Sequence, residues 1–564
     1  MQRIWNIAKP NHKQQAQFKK DLGISDILSQ IVINRGITTS QEAVYFLKPQ
    51  LSNLISPDRL PDIVPACQRI KKAIKSREKI MIFGDYDADG VTSTVLLKSI
   101  LSKLGLEVIH YIPHRVKEGY GLNKGAIKIA KEERIGLFIS VDCGTASLAE
   151  IEQLKRMNID TIVIDHHQPT TEKLPPALAL INPKRKDSRY GYQDLAGVGV
   201  AYKFAQAITR QPLEEDLDLV CLGTIADVVP LIGENRIIVK QGLDYLVQTK
   251  KAGLRALIKE SRLKDKFINA TTVSYIIGPR INAPGRIDSA EASLKLLMTE
   301  SEEEAEELAK LINRHNQKRQ EIEGLILREA QDIIDKEVNF KEQRVIVVSK
   351  EGWHQGVLGI VASKLADKFY RPTIVISIGD TLCKGSCRSI KNFHILEALL
   401  GCKHLLDGFG GHKHAAGLAI AKDKIKDFRD AINHIARERI ALEDLYPSLD
   451  IDIEVGLEDL NEELVSQLQE LEPFGEGNPE PMFYTKNLKL KSEPEVLSRD
   501  TLRLWVTDGD ITYKAVGFGM GMMKDEILAS DHFDVVYTPS IDNWGNCGTI
   551  QLEIKDIRLY KREQ

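Results

Sequence analysis

GDYDADG, residues 84–90, follows directly on the apolar run KIMIF at residues 79–83. Its aspartates, Asp85, Asp87 and Asp89, occupy alternate positions at what the pattern predicts is the carboxyl end of a β-strand. Carboxylates this close repel one another, so the cluster needs compensation, most simply from a divalent cation. The alternative is a solvated acidic turn in which one aspartate caps the following helix.

Similar strand endings recur downstream, and they favour the cation over the turn. The apolar segments 136–141 and 160–164 end just before Asp142 and Asp165-His166-His167, respectively. Asp227, just past the apolar segment 217–225, is a further candidate, although a single aspartate before Val-Val-Pro is more often a cap or turn residue than a ligand. Helical patterns separate the segments, which predicts a doubly wound parallel sheet. Ligands of such sheets bind at the carboxyl ends of the strands. The sequence therefore predicts that these acids and imidazoles meet at one edge.

Four carboxylates and one imidazole form the predicted metal-ligand set: Asp87, Asp89, Asp142, His166 and Asp227. Oxygen ligands favour Mg²⁺ or Mn²⁺, and the imidazole shifts the preference towards Mn²⁺. Two such ions can hold a scissile phosphate, activate water and stabilise the leaving oxygen. Phosphoester hydrolysis is thus the reaction class that the residues themselves indicate.

A Gly/Pro-rich segment, IIGPRINAPGR at residues 276–286, is predicted to be a loop. It carries Arg280, Asn282 and Arg286, and guanidinium groups on a loop can bind phosphate in bidentate fashion. Surface arginines flanking a turn are the alternative. Residues 289–336 then read as one or two long helices that bridge domains rather than forming a core.

A second α/β domain follows, and two loops at residues 383–390 and 408–417 are predicted to carry its chemistry. Ser386, Arg388 and His412 in these loops can donate hydrogen bonds to phosphate. Cysteines and histidines in the same region could suggest zinc, but their spacings do not match paired zinc ligands. We therefore expect no zinc site here.

The predicted fold class is α/β, with two α/β domains joined by a long helix and a C-terminal β-barrel, most simply an OB-fold. The predicted segments are an N-terminal helical arm (1–55), the first α/β domain (56–288), the connecting helix (289–340), the second α/β domain (341–440) and the barrel with an acidic lead-in (441–564).

Charge is distributed unevenly along the 564 residues. Residues 441–564 hold 11 of the 77 Lys and Arg but 26 of the 80 Asp and Glu, so residues 1–440 are net basic. A basic body suits a polyanionic substrate, whereas the acidic lead-in is not expected to touch it. With seven scattered cysteines and no apolar run long enough for a membrane span, we expect reduced thiols, a cytoplasmic location and no membrane.

Several motifs resemble those of one family. DYDADG, Asp142-Cys-Gly-Thr and Asp165-His166-His167 are similar to the signatures of the DHH phosphoesterase superfamily. RINAPGR, GWHQGVLGI, GSCRS, GGHKHAAG and EPFGEGNPEP resemble marks of its RecJ branch, including the DHH-associated (DHHA1) second domain and the barrel. The motifs stand in the family's order and span nearly the whole chain.

The resemblance implies a 5′-to-3′ exonuclease that degrades single-stranded DNA to mononucleotides with Mn²⁺ or Mg²⁺, in DNA repair and recombination. It places the metal ligands at Asp87, Asp89, Asp142, His166 and Asp227. It adds Asp85, where many relatives have histidine, and His167 to the catalytic set. It implies that Arg280, Ser386 and Arg388 hold the 5′ phosphate, and it suggests a single-strand-binding protein and a RecQ-type helicase as partners.

Two rival functions remain at this stage. Smaller members of the superfamily hydrolyse cyclic dinucleotides, short oligonucleotides or pyrophosphate, although such substrates require neither the arm nor the barrel. A non-catalytic scaffold of the same fold is the other rival. Scaffolds of that kind lose metal-ligand acids, whereas every expected position here holds Asp or His.

Overall fold

The computed structural model describes residues 3–169, 173–263, 267–542 and 548–561. The chain forms two compact units. The larger unit consists of Ile55–Val229 and Gln241–Tyr446. The second, here called the barrel unit, consists of Met1–Leu54, Pro230–Lys240 and Pro447–Gln564. The boundaries of the five predicted segments stay a prediction.

The larger unit contains the predicted parallel sheet. Its five strands are, in spatial order, Val108–Tyr111, Ile80–Gly84, Leu137–Val141, Asp160–Ile164 and Ala179–Ile181, and all neighbours are parallel. The strands Ile80–Gly84 and Leu137–Val141 are buried along their whole length, which explains their uninterrupted apolar sequences.

Helices cover both faces of this sheet. Those on one face contribute Ile127 and Leu154 to a core with Phe83 and Phe138 from the strands. The helices before the connecting region are Ile63–Ser76, Ala88–Lys103, Lys124–Glu132, Leu148–Arg156, Gly197–Thr209, Leu217–Ala226, Gly233–Val247, Ala252–Glu260 and Gly278–Ile287.

The predicted loop at residues 276–286 is wrong, because the structure has a π-helical turn, Val273–Ile277, followed by the α-helix Gly278–Ile287. Pro279 lies in the first turn, where its missing N–H costs nothing. Pro284 does remove a helical hydrogen bond, but it is buried, and the helix packs against the connecting helix. Tertiary packing therefore overrides the breaker signal.

The connecting helix Glu302–Glu337 has 36 residues and begins at the N-cap Ser301, after a shorter helix, Glu291–Met298. Helix formation across this region confirms the prediction. The helix also contributes to a core, contrary to expectation, since Ile326 and Ile334 pack with residues of the second sheet.

The second sheet of the larger unit is mixed. Its spatial order is Gly408–Gly411, Ala415–Ile420, Cys383–Arg388, Thr373–Ile378 and Ile346–Glu351, and only the last two strands are parallel to each other. The predicted loops at 383–390 and 408–417 are therefore largely strands. Cys383 and Cys387 pack into the apolar core below the sheet, which is their structural role. The helices are Leu358–Phe369, Ile395–Gly401 and Ile425–Arg439.

The barrel unit contains the predicted β-barrel, closed because Phe483–Leu490 pairs with both Ser530–Asp542 and Thr501–Thr507. The further strands of the barrel sheet are Ile453–Glu454, Glu495–Leu497, Thr512–Gly517 and Thr549–Lys561, and Ser448–Ile451 belongs to a separate two-stranded sheet. The short helices are Glu462–Gln469 and Lys524–Leu528.

The N-terminal residues belong to the barrel unit. Ile4–Ile7 pairs in parallel with Ser448–Ile451, and the helices His12–Leu22, Asp26–Asn34 and Ser40–Leu47 follow. Thr39 and Glu42 form a capping box at the start of the helix Ser40–Leu47. Phe18 and Leu28 lie in one apolar core with barrel residues such as Phe483. In the described parts of the chain, no helix is long and apolar enough to cross a membrane.

Candidate active site

The aspartates of the opening motif lie directly beyond the central strand. Asp87 is the N-cap of the helix Ala88–Lys103, and its Oδ1 accepts hydrogen bonds from the N–H groups of Asp89 and Gly90 at 3.1 Å each. Helix capping, the alternative considered from the sequence, therefore accounts for Oδ1 of Asp87 only. Asp85 and Asp89 are almost fully buried, which excludes a solvated acidic turn.

A second helix N-terminus holds Asp89. The N–H groups of Gly197 and Val198 donate to its two carboxylate oxygens at 2.6 and 2.7 Å. These bonds, together with the helix dipole of Gly197–Thr209, fix the carboxylate in place. This role of residues 196–200, AGVGV, is not apparent from the sequence.

Three aspartates from distant parts of the chain surround one imidazole. The Nε2 atom of His166 lies 3.2 Å from Oδ1 of Asp142, 3.6 Å from Oδ2 of Asp227 and 3.8 Å from Oδ2 of Asp89. Asp142 follows its strand with a left-handed backbone, φ 59°, which turns the chain at the sheet edge. The structure thus brings together the predicted side chains from four chain segments.

His167 lies beside this cluster in a hydrogen-bonded network. Its Nδ1 is 2.8 Å from Oδ1 of Asp165, and the hydroxyl of Tyr120 is 3.1 Å from the same nitrogen. Asp165 also accepts from the backbone N–H of Thr145, and Asn182 donates to the carbonyl of His167. Asp165 therefore orients His167 instead of joining the metal-ligand set.

The electrostatics of the cluster favour binding of a cation. Burial and neighbouring carboxylates raise the pKa of Asp85, Asp142 and Asp227 well above the ordinary value and that of Asp89 to about 7. Burial lowers the pKa of His166 to about 3, so its ring is neutral. A divalent cation would compensate the carboxylates and bind the neutral imidazole.

The donor geometry fits metal ions as well. Three sets have ligand atoms within 4.8 Å of one another: Asp142, His166 and His167; Asp89, His166 and Asp227; and Asp85, Asp87 and Asp142. Buried atoms of Asp85, Asp142 and His166 make no hydrogen bond within the described residues. Such unsatisfied buried atoms are costly unless a ligand completes them. The sets share members, as expected for two adjacent ions.

A cluster of guanidinium groups lies near the acidic loop. Arg286 is close enough to Arg115, Arg388 and Asp87 to interact with their charges, and burial together with the other cations lowers its pKa to about 9. The guanidinium of Arg115 lies 3.9 Å from the ring centre of Tyr86. Arg115 was not identified from the sequence, because only the folded chain brings residue 115 to this place.

The structure separates the other predicted phosphate ligands. Arg280 donates to Oδ1 of Asn313 and to the carbonyl of Ile276, so its guanidinium braces the connecting helix. Asn282 accepts from the N–H of Ala88 at 2.8 Å and thereby supports the acidic loop. Direct binding of phosphate by Arg280 and Asn282 stays a prediction, since the side chains of both already contact protein groups.

A groove of about 960 Å³ in the larger unit joins these features. Its lining includes Arg115, Tyr120, His167, Ser386 and His412. The ring of His412 is stacked on that of His167, with centroids 6.4 Å apart. The second sheet therefore reaches the acidic cluster at the edge of the first sheet.

Ser386 and Arg388 lie at the start of a helix. A Cβ placed on Gly359, in the first turn of Leu358–Phe369, would lie 3.1 Å from Oγ of Ser386 and 3.2 Å from a guanidinium nitrogen of Arg388. A hydroxyl, a guanidinium and a helix N-terminus form a typical phosphate-binding combination.

Comparison with known proteins follows the same division of the chain. Sequence profiles match for the N-terminal domain of the DHH family at residues 79–224, the DHHA1 domain at 342–438 and the RecJ OB domain at 451–556. These matches agree with the predicted order of domains.

The full-length relatives are named as nucleases. The chain is 39% identical to the single-stranded-DNA-specific exonuclease RecJ of Bacillus subtilis over 98% of this chain and 71% of the relative. It is 34% identical to the enzyme of the same name from Haemophilus influenzae over 94% and 96% of the two chains.

Solved structures show the same fold with bound metal. The crystal structure of RecJ from Thermus thermophilus in complex with Mn²⁺ superposes with a TM-score of 0.85 and 28% identity, over 100% of this chain and 80% of that one. The Mg²⁺ complex gives a TM-score of 0.78 at 27% identity, over 100% and 79%. This chain therefore belongs to the RecJ family of single-stranded-DNA-specific exonucleases.

Proposed function

We propose that this chain hydrolyses single-stranded DNA from the 5′ end to mononucleotides, with Mn²⁺ or Mg²⁺ as cofactor. The observation that carries the proposal is the proximity of two opposite charge clusters. Buried carboxylates gather around His166, and the guanidinium groups of Arg115, Arg286 and Arg388 gather near Asp87. Hydrolysis of a phosphodiester at the end of a strand uses both clusters: metal ions bind the scissile phosphate, and the guanidinium groups bind the adjacent phosphate.

The proposed metal ligands are those of the sequence analysis: Asp87, Asp89, Asp142, His166 and Asp227. Asp85 completes the negative charge beside Asp87 and Asp142. When bound, Mn²⁺ or Mg²⁺ supplies Lewis acidity that polarises a phosphoester and makes water more acidic. Asp89, held by two backbone N–H groups, keeps its carboxylate oriented towards the ions.

His167 is proposed to hold a proton next to the scissile phosphate. Burial opposes a charged ring, but the carboxylate of Asp165 outweighs it and raises the pKa of His167 above the ordinary value. The hydroxyl of Tyr120 lies 3.1 Å from Nδ1 of His167 and further fixes the ring. A protonated imidazole can donate to a phosphate oxygen as charge develops there.

The 5′-phosphate pocket is assigned to Ser386, Arg388, Arg115 and Arg286. The pocket lies near the acidic loop, since Arg286 interacts with the charge of Asp87. A terminal phosphate held there leaves the first phosphodiester at the metal ions, which sets the 5′-to-3′ polarity and releases one nucleotide each time. Arg280 and Asn282 are proposed to act indirectly, by bracing the connecting helix and the acidic loop, whereas His412 lines the path of the strand in the groove.

Single-strand preference is attributed to the groove. Unpaired bases can stack on aromatic side chains, and Tyr120 and Phe409 line its walls. We propose that the strand then continues beyond the groove. The match to RecJ of Bacillus subtilis spans 98% of this chain and 71% of the relative, which favours this function over a small phosphoesterase.

Digestion of DNA labelled at either end tests the proposal. A 5′-phosphorylated single strand is incubated with Mn²⁺ beside a blunt duplex of the same sequence, with the Asp89→Asn variant as control. We expect 5′-terminal mononucleotides at once from the single strand, little product from the duplex and none from the variant. Early release of the 3′ label, or equal cleavage of the duplex, would contradict it.

The cellular assignment is part of the same proposal. We place the enzyme in the cytoplasm, acting in DNA repair and recombination, with a single-strand-binding protein and a RecQ-type helicase supplying its substrate. Six free cysteines in the described part of the chain fit a reducing compartment. Purification of this protein from cells after crosslinking to DNA tests both partners, since the single-strand-binding protein and the helicase should be recovered with it.

A further inference from the structure

The carboxylate of Asp227 differs from the other acidic ligands in what holds it. Asp87 and Asp89 each accept two backbone N–H bonds. Among residues 3–169, 173–263, 267–542 and 548–561, no hydrogen bond reaches the carboxylate of Asp227. Its position relative to His166 therefore depends on the backbone that carries it.

That backbone is strained at the next residue. Asp227 ends the helix Leu217–Ala226, and Val228 has φ 61°, a left-handed conformation that a β-branched residue rarely adopts. The side chain of Val228 is 61% exposed, so packing of its own side chain does not explain the conformation. Strain of this kind persists only where the flanking structure enforces it.

The flanking structure is a segment anchored in the barrel unit. The chain passes from the larger unit to the barrel unit between Val229 and Pro230. Within the barrel unit, the N–H of Leu231 donates to the carbonyl of Glu476 at 2.7 Å. Glu476 belongs to the EPFGEGNPEP motif at residues 472–481, to which the catalytic scheme gives no role.

Arg236 is the main anchor of this segment. It is 1% exposed and donates to the carbonyls of Phe46, Glu470 and Leu471 at 2.7 to 2.9 Å. Its guanidinium also lies 4.0 Å from the ring centre of Phe46. All these partners belong to the barrel unit, so residues 231–236 are firmly held there.

The segment returns to the larger unit through a continuous helix, Gly233–Val247. There its Gly242 packs tightly on the helix that ends at Asp227, since a Cβ on Gly242 would lie 2.4 Å from Cβ of Cys221. The chain on the C-terminal side of Asp227 is thus restrained by the anchor and by this helix.

We infer that Arg236 is a positioning residue for the metal centre, acting through the strained link at Val228 on the carboxylate of Asp227. This inference rests on the proposed role of Asp227 as a metal ligand. The anchor and the link are predicted to tune Mn²⁺ binding without touching the ion.

Direct Mn²⁺ titration of the full-length protein, by calorimetry or by the EPR signal of free Mn²⁺, tests the inference. Val228→Gly removes the backbone strain, so the melting temperature of the variant is unchanged or higher. Its affinity for the more weakly bound of the two Mn²⁺ ions nevertheless falls about tenfold, the loss that is typical when a residue that orients a metal ligand is changed. Excess Mn²⁺ restores its kcat. Arg236→Lys, which keeps the charge but not the planar donors, shows the same shift.

Arg77→Gly is the matched control. Arg77 is also a non-glycine residue with a left-handed backbone, φ 49°, but it follows the helix Ile63–Ser76 and lies just before the amino end of the strand Ile80–Gly84, whereas the proposed ligands lie beyond the carboxyl ends of the strands. It should gain stability and keep the wild-type affinity for Mn²⁺. If Arg236→Lys does not fold, Val228→Gly decides alone.

Two failures are distinguishable. If the wild type and Asp227→Asn bind Mn²⁺ equally, Asp227 is not a ligand and the proposed metal site itself is wrong. If Asp227→Asn loses an ion while Val228→Gly and a folded Arg236→Lys bind both ions with wild-type affinity, the site stands and the positioning role is overturned.

Discussion

Nε2 of His166 lies 3.2 Å from Oδ1 of Asp142, and within the described residues neither atom makes a hydrogen bond. The two side chains come from neighbouring parallel strands, 24 residues apart in the chain. A carboxylate and a neutral imidazole left unsatisfied at this distance point to a metal ion that both bind.

Removing either group should therefore remove metal before it removes the fold. His166→Ala is expected to lower Mn²⁺ affinity at least tenfold and kcat by a hundredfold or more. Its metal-free melting temperature should be unchanged or higher, because a cavity replaces a buried polar ring without a partner. Calorimetric titration and melting curves in EDTA measure both; a metal-free protein that is strongly destabilised would contradict the assignment.

The raised pKa of Asp89 predicts how pH affects the metal-free protein. The folded carboxyl has a pKa of about 7 against an ordinary value of 3.8, so the folded state binds the proton more tightly than the unfolded state. Its contribution to stability is fully present below about pH 4 and is lost as pH rises through 7, a difference on the order of a few kcal/mol. Metal binding, which needs the anion, strengthens over the same window.

Urea unfolding in EDTA from pH 5 to 8 measures this effect. Relative to Asp89→Asn, which cannot titrate, the wild type should lose free energy of unfolding as pH rises. Saturating Mn²⁺ should reverse that trend. Parallel pH curves for the two metal-free proteins would mean that Asp89 does not carry the raised pKa.

The phosphate pocket makes a prediction about DNA ends. Arg388→Ala should weaken binding of 5′-phosphorylated single strands about tenfold to a hundredfold, since a bidentate guanidinium contact to phosphate is lost. Binding of unphosphorylated ends and of Mn²⁺ should change little. Fluorescence anisotropy with a Ca²⁺-loaded protein compares the two ends, and equal loss on both would argue against a 5′-phosphate pocket.

Arg280→Ala is informative in the same assay. Its guanidinium donates to Asn313 and to the carbonyl of Ile276, and it does not line the groove. Loss of the side chain should therefore lower stability but leave the discrimination between phosphorylated and unphosphorylated 5′ ends intact. Selective loss of 5′-phosphate recognition in this variant would return Arg280 to the pocket.

How far the sequence predicts this site depends on what holds each residue. Asp142 and His166 end buried strands of a parallel sheet, so their meeting follows from strand order alone. Asp227 follows a helix that is buried on all sides. Its apolar residues therefore show no helical periodicity, and the sequence alone does not reveal that the segment is a helix. Arg115 and Tyr120 lie in irregular chain beyond the strand Val108–Tyr111, and only tertiary contacts bring them to the groove.

The errors in the fold have a similar origin. Glycine and proline in residues 276–286 predict a loop, yet burial against the connecting helix makes the segment helical. Glycines likewise concealed the strands Gly408–Gly411 and Cys383–Arg388, whose backbone pairing needs no bulky side chains. Local signals fail where tertiary packing supplies the stabilising free energy.

Tyr120 supports a prediction about His167. Its hydroxyl contacts the imidazole and lies 3.3 Å from the carbonyl of Asp142. Tyr120→Phe keeps the ring against His167 but removes these hydrogen bonds, so kcat should fall about threefold to tenfold. Quench-flow measurement with saturating Mn²⁺ and single-stranded DNA gives kcat. An increase in KM with kcat unchanged would assign Tyr120 to substrate binding only.

Two glycines in the first turn of the helix Gly197–Thr209 offer the sharpest comparison. A Cβ on Gly197 would lie 2.8 to 3.0 Å from the side chain of Asp142, whereas one on Gly199 would lie 3.3 Å or more from Leu195, which can shift. Gly197→Ala should therefore displace Asp142 and also disturb the N–H bond to Asp89. We expect at least a tenfold loss of Mn²⁺ affinity and a larger loss of kcat.

Gly199→Ala adds the same methyl group two residues along and should stay near wild type in metal binding and activity. Because alanine favours helix over glycine, both variants gain helical propensity, so propensity alone cannot separate them. Mn²⁺ titrations and melting curves of the pair isolate the effect of the contact with Asp142. If both alanines leave metal affinity intact, the close approach of this helix to the acidic cluster is not what fixes Asp142.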